Sequence, residues 1–192
     1  MKMTKKQLAA LNRIIKREDQ KYGVSGIHPS GKRFAVTDSA MACLFIEPPE
    51  GVQESERIDG LEKTVQDFVD NTDAFIVESP PNEDDCRRVI QAWRKTPKAS
   101  RPALPRIDIS TADDYGNTIS GTYDARKILD ALEVLGKNRI IYLGVRELSS
   151  LRYTISFTGL TAYRAENGDP DWNQPVFILP IRHETQIEEG EN

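Results

Sequence analysis

Residues 124–136 spell out a complete helix with both of its ends marked. Asp124 stands where an N-cap side chain accepts from the first free backbone N–H groups. Ile128, Leu129, Leu132 and Leu135 then fall on one stripe at the 3.6-residue period. Gly136 follows at the position where a helix commonly ends in a left-handed residue. A helix with one apolar stripe has to bury it, and its neighbours in sequence are strands. Arg106–Ser110 alternates apolar and polar residues like an edge strand, and Thr118–Tyr123 leads into the helix after a turn at Asp113–Asn117. Arg139–Val145 and Leu151–Phe157 come after it, with Thr161–Ala165 as a short extension. Asn167-Gly168-Asp169-Pro170 reads as a turn and Pro175–Arg182 as the last strand. Helix stripes packed on such strands define an α+β fold.

The start of the chain repeats the theme. A helix is expected over Lys5–Glu18, with Thr4 as its cap and Leu8, Leu11, Ile14 and Ile15 on the core face. Lys2, Lys6, Arg13, Lys16 and Arg17 fall on the opposite side. Tyr22–His28 and Arg33–Ile46 read as a hairpin turned by Pro29-Ser30-Gly31, the second run being one bent strand or two. Pro48-Pro49-Glu50-Gly51 stops it. Helix-then-strands thus occurs twice, near each end.

A different segment separates the two. Leu61–Asp70 reads as a short helix with Leu61, Val65, Phe68 and Val69 apolar, and Ala74–Val77 as a short strand. After Pro80-Pro81, Asn82 caps a helix to about Lys95, with Asp84 and Asp85 in its first turn. Cys86, Val89, Ile90 and Trp93 form its core side, and Arg87, Arg88, Arg94 and Lys95 its other side. Thr96–Pro105, with three prolines, reads as a surface loop.

The 192 residues are enough for one domain with a sizeable core. No run approaches the roughly 18 apolar residues of a membrane span, and Met1–Lys6 has no apolar stretch behind its lysines. A cytoplasmic protein with no membrane partner is therefore expected. The net charge of −4 is unevenly spread. Residues 1–36 carry nine basic and two acidic residues, and 86–110 carry seven and one. Residues 47–85 carry two basic and thirteen acidic residues, and the end from His183 has four Glu. Such a chain can show one positive surface to a polyanion while the rest repels it.

The residues of common catalytic sites are sparse. His28, before Pro29, and His183 are expected on the surface, without spaced partners. Cys43 and Cys86 lie in apolar contexts and read as core. Asp84-Asp85 and Asp113-Asp114 are explained by a helix first turn and a loop. Trp93 and Trp172 read as anchors of core and loop. Neither a metal, a cofactor nor a catalytic set is expected, and the chain reads as a non-enzyme.

Two stretches carry a resemblance. Tyr123-Asp124-Ala125-Arg126-Lys127-Ile128-Leu129-Asp130-Ala131-Leu132, followed downstream by Phe177-Ile178-Leu179-Pro180-Ile181-Arg182, resembles the last helix and terminal strand of bacterial DNA sliding clamps. Lys6-Gln7-Leu8 and Ala35-Val36-Thr37-Asp38 are similar to the first half of a clamp domain. The resemblance implies one DNA-clamp-like domain over 1–183, with two β-rich halves that each set a helix on one face. The helical segment around 47–105 would be an insertion, and 184–192 an acidic disordered tail. A two-domain clamp of the archaeal or phage kind is the alternative fold, though it needs nearly twice the strands. The implied function is a non-catalytic accessory protein, a processivity or recruitment factor in DNA replication of phage or mobile-element origin. Its partners would be the backbone of double-stranded DNA, a DNA polymerase or other replication protein, and further copies of itself as a homo-oligomer.

A clamp holds phosphates loosely and reads no bases, so long basic side chains on helices suit it. Lys6, Arg13, Lys16 and Arg17 would line the DNA from the first helix, and Arg126 and Lys127 from the last. Arg87 and Arg88, with Arg94 and Lys95, offer a second basic helix that competes for that role. The alternative function is a clamp-fold protein–protein interaction module that does not encircle DNA. An enzyme with its site in the inserted segment is a third reading.

Overall fold

The computed structural model describes residues 1–22, 26–38, 40–149, 154–166 and 169–181. The stretch 182–192, with Arg182, His183 and the expected acidic tail, lies outside them. So do residues 23–25 and 151–153 of two expected strands, Ser39, and the Asn167-Gly168 pair of the expected turn. The side chains of Phe68, Val69 and Trp172 are also outside the description.

Thr4 and Gln7 open helix α1 (Lys5–Tyr22) with a reciprocal capping box. Thr4 Oγ1 accepts from the Gln7 N–H at 3.2 Å, and Gln7 Oε1 accepts from the Thr4 N–H at 2.9 Å. The helix runs past Glu18 to Tyr22, so the expected strand from Tyr22 is absent from the described part of that run. Strand β1 (His28–Ser30) instead starts at His28 and pairs with β2 (Arg33–Thr37), which pairs with β3 (Met41–Phe45). The turn is therefore Gly31-Lys32, with Gly31 at φ 59°, and not Pro29-Ser30-Gly31. Pro29 can sit inside β1 because that strand is an edge, where a missing N–H breaks no ladder bond.

The middle segment gives α2 (Leu61–Asp70), β4 (Asp73–Ile76) and α3 (Glu83–Lys95). Asn82 caps α3 through the Asp84 and Asp85 N–H groups, and the Asp85 carboxylate accepts from the Asn82 N–H. Next come β5 (Arg106–Ala112), β6 (Thr118–Asp124) and α4 (Ala125–Leu135), the last capped by Asp124 and closed by Gly136 at φ 79°. β7 (Arg139–Ser149), β8 (Thr154–Glu166) and β9 (Asp169–Ile178) complete the chain. β8 is continuous through Thr161–Ala165, so the expected extension belongs to one long strand. β9 ends at Ile178: the Leu179 N–H turns to the Ala40 carbonyl and the Ile181 N–H to that of Thr122.

The fold is α+β. Seven antiparallel strands form one sheet in the order β1-β2-β3-β9-β8-β7-β4, and β5-β6 form a separate ribbon. The meander β1-β2-β3 meets the meander β9-β8-β7 at the antiparallel β3–β9 pair. Each meander is preceded by one helix, and α1 and α4 lie side by side and antiparallel: Gln7 meets Val134 while Arg17 meets Asp130. The double helix-then-strands rhythm is thus an approximate two-fold in space.

Leu11, Ile14, Ile128, Leu132 and Leu135 pack on Val36, Cys43, Leu143, Val176 and Ile178 in the main core. The opposite side of β2 and β3 is covered by α2, where Val65 and Leu61 meet Ala35, Leu44 and Phe177. Every residue of β3 is consequently buried. The segment 47–105 is woven into the domain rather than hung on it. The Ile27 N–H donates to the Gln53 carbonyl and the Ser55 N–H to the Ile27 carbonyl, and β4 joins the far edge of the sheet beside β7. No helix among the described residues is long and apolar enough to cross a membrane.

Candidate nucleic-acid interface

Arg13 and Arg17 are spaced one helical turn apart on α1, and Asp130 and Glu133 one turn apart on α4. Because the helices lie side by side, the two pairs meet. Arg13 Nε donates to Asp130 Oδ1 at 2.7 Å, and its Nη2 donates to Glu133. Arg17 bridges two carboxylates, donating to Asp38 Oδ2 at 2.7 Å and Asp130 Oδ2 at 2.6 Å. On the other flank of α4, Arg87 of α3 donates to Glu133 Oε1 at 2.6 Å. Asp130 and Glu133 are only 2% and 7% exposed, because this acidic face of α4 is enclosed between α1 and α3.

The charges shift one another. Burial works against the positive charge of Arg17, but Asp130 and Asp38 more than offset it and hold the guanidinium above its usual pKa. Arg13 is held up in the same way by Asp130 and Glu133. Burial would raise Asp38, yet Lys127 and then Arg17 outweigh it and hold the carboxyl below its ordinary range. Asp130 has the opposite outcome: burial lifts it, and Arg17 and Arg13 offset that only in part.

Between α1, α3 and α4 lies a cleft of about 540 Å³ whose lining includes Arg13, Arg17, Arg87, Arg94 and Arg126. Five arginines against Asp130 and Glu133 leave the lining itself net positive, while Arg17, Arg126 and Arg87 also pair with Asp38, Asp124 and Glu83 behind it. Four of the expected contact residues are therefore together here: Arg13, Arg17, Arg87 and Arg126. Arg126 also holds its own cap, with Nη2 2.6 Å from Asp124 Oδ2, and its Cζ lies 5.6 Å from the Trp93 ring centroid. The other four are placed elsewhere. Lys6 reaches Glu83 at the start of α3 and approaches Glu133. Lys127 is drawn onto Asp38 and is mostly buried. Arg88 is 77% exposed outside the cleft, beside Asp85, and Lys16 is exposed on α1.

Sequence reasoning grouped Arg94 with the basic side of its helix but did not single it out as a contact. Its side chain is exposed and has no hydrogen-bond or ion-pair partner among the described residues. The signal was available: Arg87, Gln91 and Arg94 fall at i, i+4 and i+7, one face of α3, and all three line the cleft. Trp93 is half-buried; it anchors the 96–105 loop by donating to the Pro102 carbonyl at 2.7 Å and stacking with Arg101.

His28 is the clear correction. It is fully buried, with Nδ1 2.7 Å from the Glu56 carbonyl and Nε2 3.1 Å from Glu18 Oε2. A carbonyl only accepts, so Nδ1 carries a proton and Nε2 shares one with Glu18. Burial pushes Glu18 above its usual value, with His28 pulling it back. Cys43 and Cys86 are buried as expected, and burial raises both thiols, that of Cys86 to about 12. Among the described residues no group of three His, Cys, Asp or Glu could hold a metal ion. Comparison of the chain with family models, with curated proteins and with solved structures finds no match.

Proposed function

We propose that the protein is a non-catalytic, DNA-associated accessory factor that holds phosphates of a duplex backbone at the arginine-lined cleft. The observation that carries this reading is the convergence of five arginines from three helices on one net-positive cleft. The cleft is too small for a duplex, so it would take phosphates of one strand at its rim, where Arg94 and Arg126 lie. Two helix-plus-meander halves that place both helices on one side of the sheet support the likeness to a sliding-clamp domain. In that setting the role is processivity or recruitment, alongside a DNA polymerase or another replication protein. Encirclement would need several copies of the chain.

A second reading has its own support. α3 lies against α4 and is tied there by Arg87 to Glu133, which covers part of the face a clamp turns to DNA. This favours a clamp-fold interaction module that does not encircle DNA. Fluorescence anisotropy with a random-sequence duplex at increasing salt separates the two. The first reading predicts affinity that falls steeply on a log–log plot, as several counterions are released. No binding at 50 mM salt would overturn it. Native mass by light scattering then tells whether a ring is feasible: a strict monomer cannot close around DNA by itself.

A further inference from the structure

The main sheet has two edges, and they are finished differently. β1 is protected in the usual ways: Pro29 sits in it, the Ile58 N–H bonds the Pro29 carbonyl, and Ile27 bridges to Glu54. β4, at the other edge, is paired among the described residues with β7 alone. The Val77 N–H donates to the Ile141 carbonyl at 2.9 Å, which sets the phase of this antiparallel ladder. Residues 73, 75 and 77 direct their backbone groups to β7, so Ala74 and Ile76 direct theirs outward. Of these outward groups the Ile76 carbonyl accepts from Thr111 Oγ1 at 2.7 Å, tying that end of β4 to β5. The Ala74 N–H and C=O and the Ile76 N–H have no partner among the described residues.

Toward its other end β4 borders a cleft of about 850 Å³, closed on the far side by the tip of the β5–β6 ribbon. Its wall carries Asp73, Asp113 and Asp114 and no basic residue, together with Phe75, Tyr115 and Ile119. Tyr115 is 92% exposed on the cleft, and Ile76, further along β4, is 56% exposed. The ribbon tip is preformed: Asp113 accepts from the Tyr115 N–H, the Asn117 N–H and Asn117 Nδ2. Tyr115 is thus held out on a fixed turn. An open strand edge, an acidic wall and presented aromatic surface are the ingredients of recognition by strand addition.

We propose that this edge takes an extended segment of a partner protein as an added strand. That segment would carry basic residues facing Asp73, Asp113 and Asp114 and an apolar residue against Phe75 and Tyr115. The charge selects the occupant. Residues 67–78 contain Asp67, Asp70, Asp73 and Glu78 and no Lys or Arg, so two copies meeting edge to edge would oppose like charges. The same acidity repels nucleic acid, and the surface is independent of the arginine cleft.

The test is an amide-resolved NMR titration of the full chain with a capped eight-residue peptide alternating Lys with Val and Tyr. The proposal predicts saturable binding that shifts the Ala74 and Ile76 amides and weakens as salt rises. The counterpart with Glu for Lys should bind at least about tenfold more weakly. Ala74→Pro removes an outward N–H without touching a bond of the sheet, and should weaken binding about fivefold, the worth of one hydrogen bond. Tyr115→Ser, at an exposed turn where folding is not at risk, should weaken it by a similar factor. Absence of binding at millimolar peptide would overturn the proposal. So would binding that both variants leave unchanged. Dimerisation of the chain in sedimentation, lost with Ala74→Pro, would assign the edge to a second copy and overturn it as well.

Discussion

The helices α1 and α4 open their halves in the same way, each capped at its first turn and each leading into a three-stranded meander. They nevertheless bring opposite charges to their shared boundary. α1 contributes Arg13 and Arg17, with one flank left to solvent where Asn12 and Lys16 are exposed. α4 contributes Asp130 and Glu133, enclosed because α3 packs on its second flank. A helix-then-meander plan thus fixes where a helix sits, and whatever packs on its outer side decides the fate of its charges. Here α3 converts the outer face of one helix into the floor of a cleft.

Truncation of buried apolar side chains has the largest expected effect, and its size follows burial. Leu132→Ala, at a fully buried site on α4, is expected to lower stability by about 2–5 kcal/mol in chemical denaturation. Leu8→Ala, half-buried on α1, should lower it by clearly less; equal losses would break the contrast. Next is the charge network. Asp130→Asn leaves Arg13 and Arg17 without their shared carboxylate and should destabilise by about 2 kcal/mol, less than a fully buried pair because both arginines keep some water. Arg13→Gln, on the open side, should have the smaller effect; the reverse order would show that the enclosed acids are not the sensitive side.

Two buried carboxylates of the first half should respond to pH in opposite senses. The native value of Asp38 is depressed, so its contribution is full above about pH 4 and is lost as pH falls through that native value. The deficit of Asp38→Asn should therefore shrink on going from pH 6 to pH 2. The native value of Glu18 is raised, so its contribution is full at low pH and is lost as pH rises through that value. Glu18→Gln should gain on the wild type between pH 4 and pH 7. Stability curves that run parallel for both variants would remove the distinction. The smallest effect belongs to Lys16→Gln, which should leave stability within about 0.5 kcal/mol.

The elements that carry their own punctuation were legible in sequence. Thr4 at the start of α1, Asn82 at the start of α3, and Asp124 and Gly136 at the two ends of α4 mark three helices through local bonds. β4 was legible as a strand but not as a member of the main sheet, because its partner β7 lies some seventy residues further on and nothing in Asp73–Ile76 encodes that pairing. His28 was misplaced because His-Pro-Ser has no alternation to say which side of the strand is buried. The basic residues of the cleft were named, but their acidic partners Asp130 and Glu133 on α4 were not. Complementary one-turn spacings, Arg13/Arg17 and Asp130/Glu133, were the available clue, and only the side-by-side placement of the helices brings them together.

On the proposed function the arginine cleft holds DNA phosphates. This claim is tested most directly by the salt dependence of duplex binding for the wild type beside Arg94→Gln/Arg126→Gln. Both residues line the cleft, and neither belongs to the Asp130–Glu133 network. Loss of two phosphate contacts should weaken binding for every sequence alike and reduce the log–log salt slope by about 2. An unchanged slope and affinity in the folded double variant would contradict the claim and place any DNA contact elsewhere on the molecule.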